Sequence, residues 1–129
     1  MATWESLRRY IKSTYNVTDD DLDHLRLIFN VGNGRTQNVI VAKQMLGEDE
    51  WAEIWTPICE ESQISARDAL LRNTQVVLGA LGLLEGGGVI FRYSLPLKDL
   101  DLPEFEIPFH MITNYGDKLE QEFAGVDKF

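Results

Sequence analysis

The sequence predicts one α+β domain over residues 1–129: an antiparallel β-meander with helices packed mainly on one face, in the order α-β-β-β-α-β-(β)-α. Three observations carry this. Segments with alternating apolar residues follow one another and are parted by glycine-rich turn signals. Other segments repeat their apolar residues every three or four positions, as helices do. No internal repeat, low-complexity tract or linker interrupts the chain, whose length suits one domain. Consecutive strands joined by short turns pair antiparallel, and helices then gather on one face.

Thr3 to Tyr15 reads as the first helix. Thr3 caps it, with Glu5 and Ser6 in the first turn. Trp4, Leu7, Ile11 and Tyr15 form its apolar stripe, and Arg8, Arg9 and Lys12 lie off it. Asn16 to Asp20 breaks the helix. From Leu22 to Asn30 the period becomes two: Leu25, Leu27, Phe29 and Val31 alternate with His24, Arg26, Ile28 and Asn30. Gly32-Asn33-Gly34 supplies positive φ without steric cost, so it predicts a hairpin turn. Thr36 to Gln44 is the returning strand, centred on Val39, Ile40 and Val41. After the turn Gly47-Glu48-Asp49-Glu50, Trp51 to Cys59 forms a third strand. Trp51, Glu53 and Trp55 share one of its faces, Ala52 and Ile54 the other. Pro57 is expected to end its regular pairing or to place it at an edge.

Ser65, with Asp68 three residues on, caps a second helix expected to reach about Leu84. Leu70, Val77, Leu81 and Leu84 line one side, and Leu71, Val76, Leu78 and Leu83 widen it. A helix so widely apolar must be buried on more than one side, by the sheet and other helices or by a second subunit. Gly79 and Gly82 weaken it by about 1 kcal/mol each relative to alanine, and are read as close-packing positions. Glu85-Gly86-Gly87-Gly88 ends it. Val89 to Leu97 is a further strand, with Phe91, Tyr93 and Leu95 alternating with Ile90 and Arg92. Asp99 to Pro108 is an acidic connection or a short extra turn. The last helix runs from about Pro108 to Ala124, or starts near Glu104 with a distortion at Pro108. Phe109, Ile112, Leu119 and Phe123 are its apolar face, and Gly125 stops it.

Composition narrows the function. Lys and Arg total 12 against 21 Asp and Glu, a formal charge of -9. Phosphate backbones need a concentrated basic patch, so a nucleic-acid partner is not expected, nor is an anionic membrane surface. The longest apolar stretch, Val76 to Leu84, is far short of the roughly 20 residues of a membrane helix. The lone cysteine, Cys59, excludes an internal disulfide and a cysteine metal cluster. The first residues lack a basic region followed by an apolar run, so no secretory signal is expected and the location is read as cytoplasmic.

The residues offer little for catalysis. His24 and His110 are on different elements and far apart in sequence, and a catalytic histidine needs an oriented partner, so both are read as surface or structural residues. Cys59 precedes Glu60-Glu61, whose charges raise a thiol pKa and blunt its reactivity. Gly86-Gly87-Gly88 follows a helix pattern, whereas phosphate cradles precede one. Asp19-Asp20-Asp21-Leu22-Asp23 lacks the glycine and distal glutamate of a calcium loop. No cofactor, no metal site and no enzyme activity are expected. What remains is aromatic: Trp51 and Trp55 on one strand face, with Phe91 and Tyr93 in the same sheet. These four are the candidate partner-binding residues, or else they are core. Val77, Leu78, Leu81 and Leu84 are the candidate dimer interface.

The passage Leu71-Arg72-Asn73-Thr74, its apolar continuation and Gly88-Val89-Ile90-Phe91-Arg92-Tyr93-Ser94-Leu95-Pro96-Leu97 resembles the type III secretion chaperone-like fold, and within it YbjN-type bacterial proteins. Tyr115-Gly116-Asp117-Lys118-Leu119 in the last helix is also similar. The resemblance spans most of the chain and implies a homodimer or compact monomer that binds protein segments without enzymatic activity. The Asp101 to Pro108 proline spacing departs from true secretion chaperones. The leading expectation is therefore a protein-binding or chaperone-like protein with a protein or peptide partner. The alternatives are a regulatory domain for one folded partner, and a small-ligand-binding protein.

Overall fold

The structure is a computed structural model and describes residues 2–125. The chain runs α1 (Trp4–Thr14), β1 (Val17–Asp20), β2 (His24–Gly32), β3 (Arg35–Leu46), β4 (Asp49–Glu60), α2 (Ala66–Asn73), β5 (Ala80–Leu83), β6 (Gly88–Pro96) and α3 (Glu106–Phe123). All strand pairs are antiparallel, in the order β1-β2-β3-β4-β6-β5. The expected fold class is the one observed.

Local chemistry explains most boundaries. Thr3 and Ser6 cap α1 reciprocally, each side-chain oxygen accepting from the other's backbone N–H at 3.1 and 2.8 Å. Ser65 caps α2 by accepting from the Asp68 N–H at 3.0 Å. Gly32, Asn33 and Gly34 all take positive φ in the β2–β3 turn. Pro108 stands in the first turn of α3, where its missing N–H is harmless.

Three expectations change. The long second helix does not exist: α2 stops at Asn73, and Ala80–Leu83 is a strand. Gly79 is why the chain turns there. Its φ is +84°, and an added Cβ would lie 2.7 Å from Cζ of Phe91 and 3.0 Å from Cδ1 of Ile112. The apolar run that suggested an all-round buried helix is instead one strand of a hairpin, and the triple glycine is that hairpin's turn, with Leu84 donating to the Gly88 carbonyl at 2.8 Å. Residues 17–20, expected only to break the helix, form the edge strand β1. Pro57 neither ends β4 nor sits at an edge. It lies in an inner strand at a bulge, where the register shifts between Pro57 and Cys59.

The core lies between one sheet face and the helices. Trp4, Leu7 and Ile11 of α1 and Phe109, Ile112 and Leu119 of α3 pack with Leu25, Leu27, Val39, Val41, Ile54 and Phe91. Gly116 lets α3 approach β4, since a Cβ there would lie 2.4 Å from Cγ2 of Thr56. Beside it, the buried Gln37 amide donates to Thr56 Oγ1 at 2.6 Å and to the Pro57 carbonyl at 3.2 Å. Arg35 bonds Asp117 at 3.0 Å and Glu120 at 3.3 Å, tying the start of β3 to α3. Arg72 binds Glu122 and lies over the Phe123 ring, which ties α2 to α3.

Candidate functional site

The register decides which aromatics share a face. Ile54 pairs with Tyr93 and Thr56 with Phe91, so both β6 aromatics point to the helix-covered side. Trp55 pairs with Arg92 and Trp51 with Pro96 on the opposite, bare side. The four predicted residues therefore do not form one surface. Phe91 is core, with its ring 5.3 Å from that of Tyr115. Tyr93 is half-buried at the end of the covered side.

The bare face has an apolar centre. Trp55 stands between Ile40 and Arg92 in one cross-strand row. Ile40 and Ile90 are buried although no helix covers them, because neighbouring side chains on the face shield them. Ile28 is 49 % exposed. A polar line crosses the same face: Arg92 binds Glu53 and donates to Ser94 Oγ at 3.1 Å, and Ser94 donates to Gln44 at 2.8 Å. That satisfies the charges without breaking the apolar band.

The predicted dimer residues sit on a different part of the molecule. Val77 is 94 % exposed and Leu84 is 45 % exposed, while Leu81 is buried. Leu78 lines a groove beside β6. Leu70, Leu71 and Leu83 are also exposed near this edge. A groove of about 330 Å³ between α2 and β5 includes Ile64, Ala69, Leu70, Leu81 and Leu83. At the β5 edge the Asn73 side chain accepts from the Leu81 N–H at 2.7 Å and donates to the Leu81 carbonyl at 3.3 Å.

The ionisable groups are occupied structurally. Burial, and then Glu60, push the Cys59 thiol pKa up. The Glu106 carboxylate accepts from Tyr10 at 2.6 Å and from Tyr15, and His110 Nε2 lies 3.0 Å from it. Burial pushes Glu106 up, but the two phenols and His110 outweigh it and hold its pKa below the usual value. His24 lies on β2 with Asp19 and Asp21 at 3.8 and 3.9 Å. Among the described residues, no group of three or more His, Cys, Asp and Glu is placed to hold a metal ion. No described helix is long and apolar enough to cross a membrane.

At the level of sequence, no protein-family model matches the chain, and no curated protein does either. At the level of fold, the chain is similar to a chain of the HopA1–SchA chaperone–effector complex. The TM-score is 0.66 at 16% identity, over 89% of this chain and 90% of that one. It is also similar to a chain of the ExsC–ExsE complex, with TM-score 0.68 at 15% identity over 95% and 97%. The likeness is one of fold: this chain shares the fold of a chain in each of these two complexes.

Proposed function

We propose that this chain is a non-enzymatic, chaperone-like protein that holds a segment of another protein. The YbjN-type likeness, the cytoplasmic location and the single-domain reading belong to the same proposal. The observation that carries it is the one-sided distribution of helices, which leaves Trp51 and Trp55 on a sheet face that nothing within the described chain covers. Tryptophans flanked by aliphatic side chains and a satisfied polar line suit a protein interface better than a solvated surface. The fold shared with a chaperone–effector complex supports the same reading. Phe91, being core, has no direct part in this contact. Val77, Leu78, Leu81 and Leu84, with Leu70 and Leu71, form the proposed contact with a second copy.

Affinity capture from native lysate, with the wild type against Trp51→Ser and Trp55→Ser, tests the first contact. Expected is one or a few proteins retained by the wild type and lost from both variants, at unchanged melting temperature. Equal capture by all three overturns the assignment of this face. Light scattering of Val77→Asp tests the second contact: a monomeric variant of a dimeric wild type is expected, and a monomeric wild type removes the dimer.

A further inference from the structure

We propose that the partner segment is basic as well as apolar, and that it seats at the end of the sheet where the β1–β2 turn, the β3–β4 turn and the exit of β6 lie together. This rests on the protein-binding reading above and adds the chemistry of the partner.

Two grooves flank this end, one on each side of the sheet. One, of about 340 Å³, is lined by Gln44, Met45, Leu46 and Trp51. The other, of about 500 Å³, includes Tyr93, Pro96, Lys98, Asp99, Glu104 and Ile107. Their rims come together where Trp51 and Pro96 are paired across β4 and β6, so a segment that crosses the sheet end reaches both. Met45, Leu46 and Ile107 are 54, 65 and 68 % exposed, so large aliphatic side chains stand in water at both grooves. The apolar surface is real, but alone it does not select an occupant.

Charge selects it. The antiparallel order carries the turns at residues 21–23 and 47–48 and the segment after Pro96 to the same end. That puts Asp23, Glu48, Asp49 and Asp101 at this end, with Asp99 and Glu104 lining the second groove, none of the six in an ion pair among the described residues. The basic side chains nearby are spent: Lys43 on Glu50, and Arg8 and Lys12 on Asp20. Among the described residues Lys98, in the second groove, is the remaining cation there. Six exposed carboxylates against one lysine leave a negative field at this end, and a partner that brings lysines and arginines neutralises it while its aliphatic residues fill the grooves. An acidic or uncharged apolar segment gains only the second part.

The test uses the full chain and three labelled peptides with one apolar pattern, interleaved with Lys/Arg, Gln or Asp/Glu, read by fluorescence anisotropy. The basic peptide is expected to bind about tenfold or more tighter than the acidic one at low salt, with the gap closing as salt shortens the Debye length. Glu48→Gln/Asp49→Asn/Asp99→Asn is expected to weaken the basic peptide several-fold at unchanged melting temperature, and Leu46→Ser to weaken all three. Equal binding of the three peptides, or no effect of the charge variant, overturns the inference. If the Gln peptide alone binds and is lost in Trp55→Ser, the inference falls and the protein-binding reading stands. If no peptide binds under any condition, both fall.

Discussion

Ile54 and Trp55 are neighbours in one strand and belong to two different regimes. Ile54 is fully buried beneath the helices, while Trp55 is half-buried on the side the helices leave free. Every fixed structural relation on the covered side has a tight geometric cause. Gly116 admits the Thr56 methyl, Gly79 admits Phe91, and Arg35 reaches two acids on α3. Among the described residues, the bare side has no such interlocks with a helix. Its polar contacts, Arg92 with Glu53 and Ser94 and Ser94 with Gln44, run between neighbouring strands, so its exposed side chains can be replaced with little loss of fold. Stability is therefore concentrated on one face, and the other is free to serve recognition.

Substitutions can break this contrast. Ile54→Ala is expected to destabilise most, by about 2–5 kcal/mol as for buried aliphatic truncations, seen as a lower urea midpoint at unchanged slope. Gly116→Ala follows, at about 1–3 kcal/mol, because its methyl meets Thr56 in a packed helix–sheet contact. A melt within error of the wild type would show that α3 can lift off β4 cheaply. Trp55→Ala is expected to cost about 1 kcal/mol or less, despite removing a larger side chain. If it rivals Ile54→Ala, the bare face is structural and the contrast fails.

The smallest effect concerns pH. Glu106 releases its proton more readily in the folded chain than in the unfolded one, so folding is favoured where the carboxylate is ionised. That contribution is complete above the ordinary carboxylate range and is lost as pH falls through the lowered folded value. Melting temperature against pH should therefore fall less steeply in acid for Glu106→Gln than for the wild type. Parallel curves would show that the Tyr10–Tyr15–Glu106 contact adds no pH-dependent stability.

Where local chemistry and periodicity agreed, the fold was legible. Thr3, Ser65 and Gly32-Asn33-Gly34 marked their caps and turn, and the alternation through Trp51–Trp55 assigned both tryptophans to one face. Two strands were not legible, for opposite reasons. β1 has only Val17 to bury, and exists because β2 offers it an edge. β5 is almost wholly apolar, so its pattern fits a buried helix as well as a strand. What separates them is Gly79, whose need for space is set by Phe91 and Ile112, distant in sequence. The grouping of Phe91 and Tyr93 with the tryptophans failed for a related reason. Alternation fixes faces within a strand, but the phase between β4 and β6 is set by their pairing. The end grooves were invisible because Ile107 and Met45 reach the same end only through the topology.

Asn73 bears on the molecule's behaviour in a crowd. An exposed strand edge recruits further strands, and a short apolar one does so readily. Here one side-chain amide occupies both outward backbone groups of Leu81, in the middle of a strand of four residues. Too little unpaired backbone is left for another strand to zip on. The sheet is thus terminated on that side, as a polymer is by a chain-stopper, and copies that meet through α2 and β5 must meet by side chains. If the proposed holding of segments from other proteins is right, such an edge also keeps the holder from polymerising with itself.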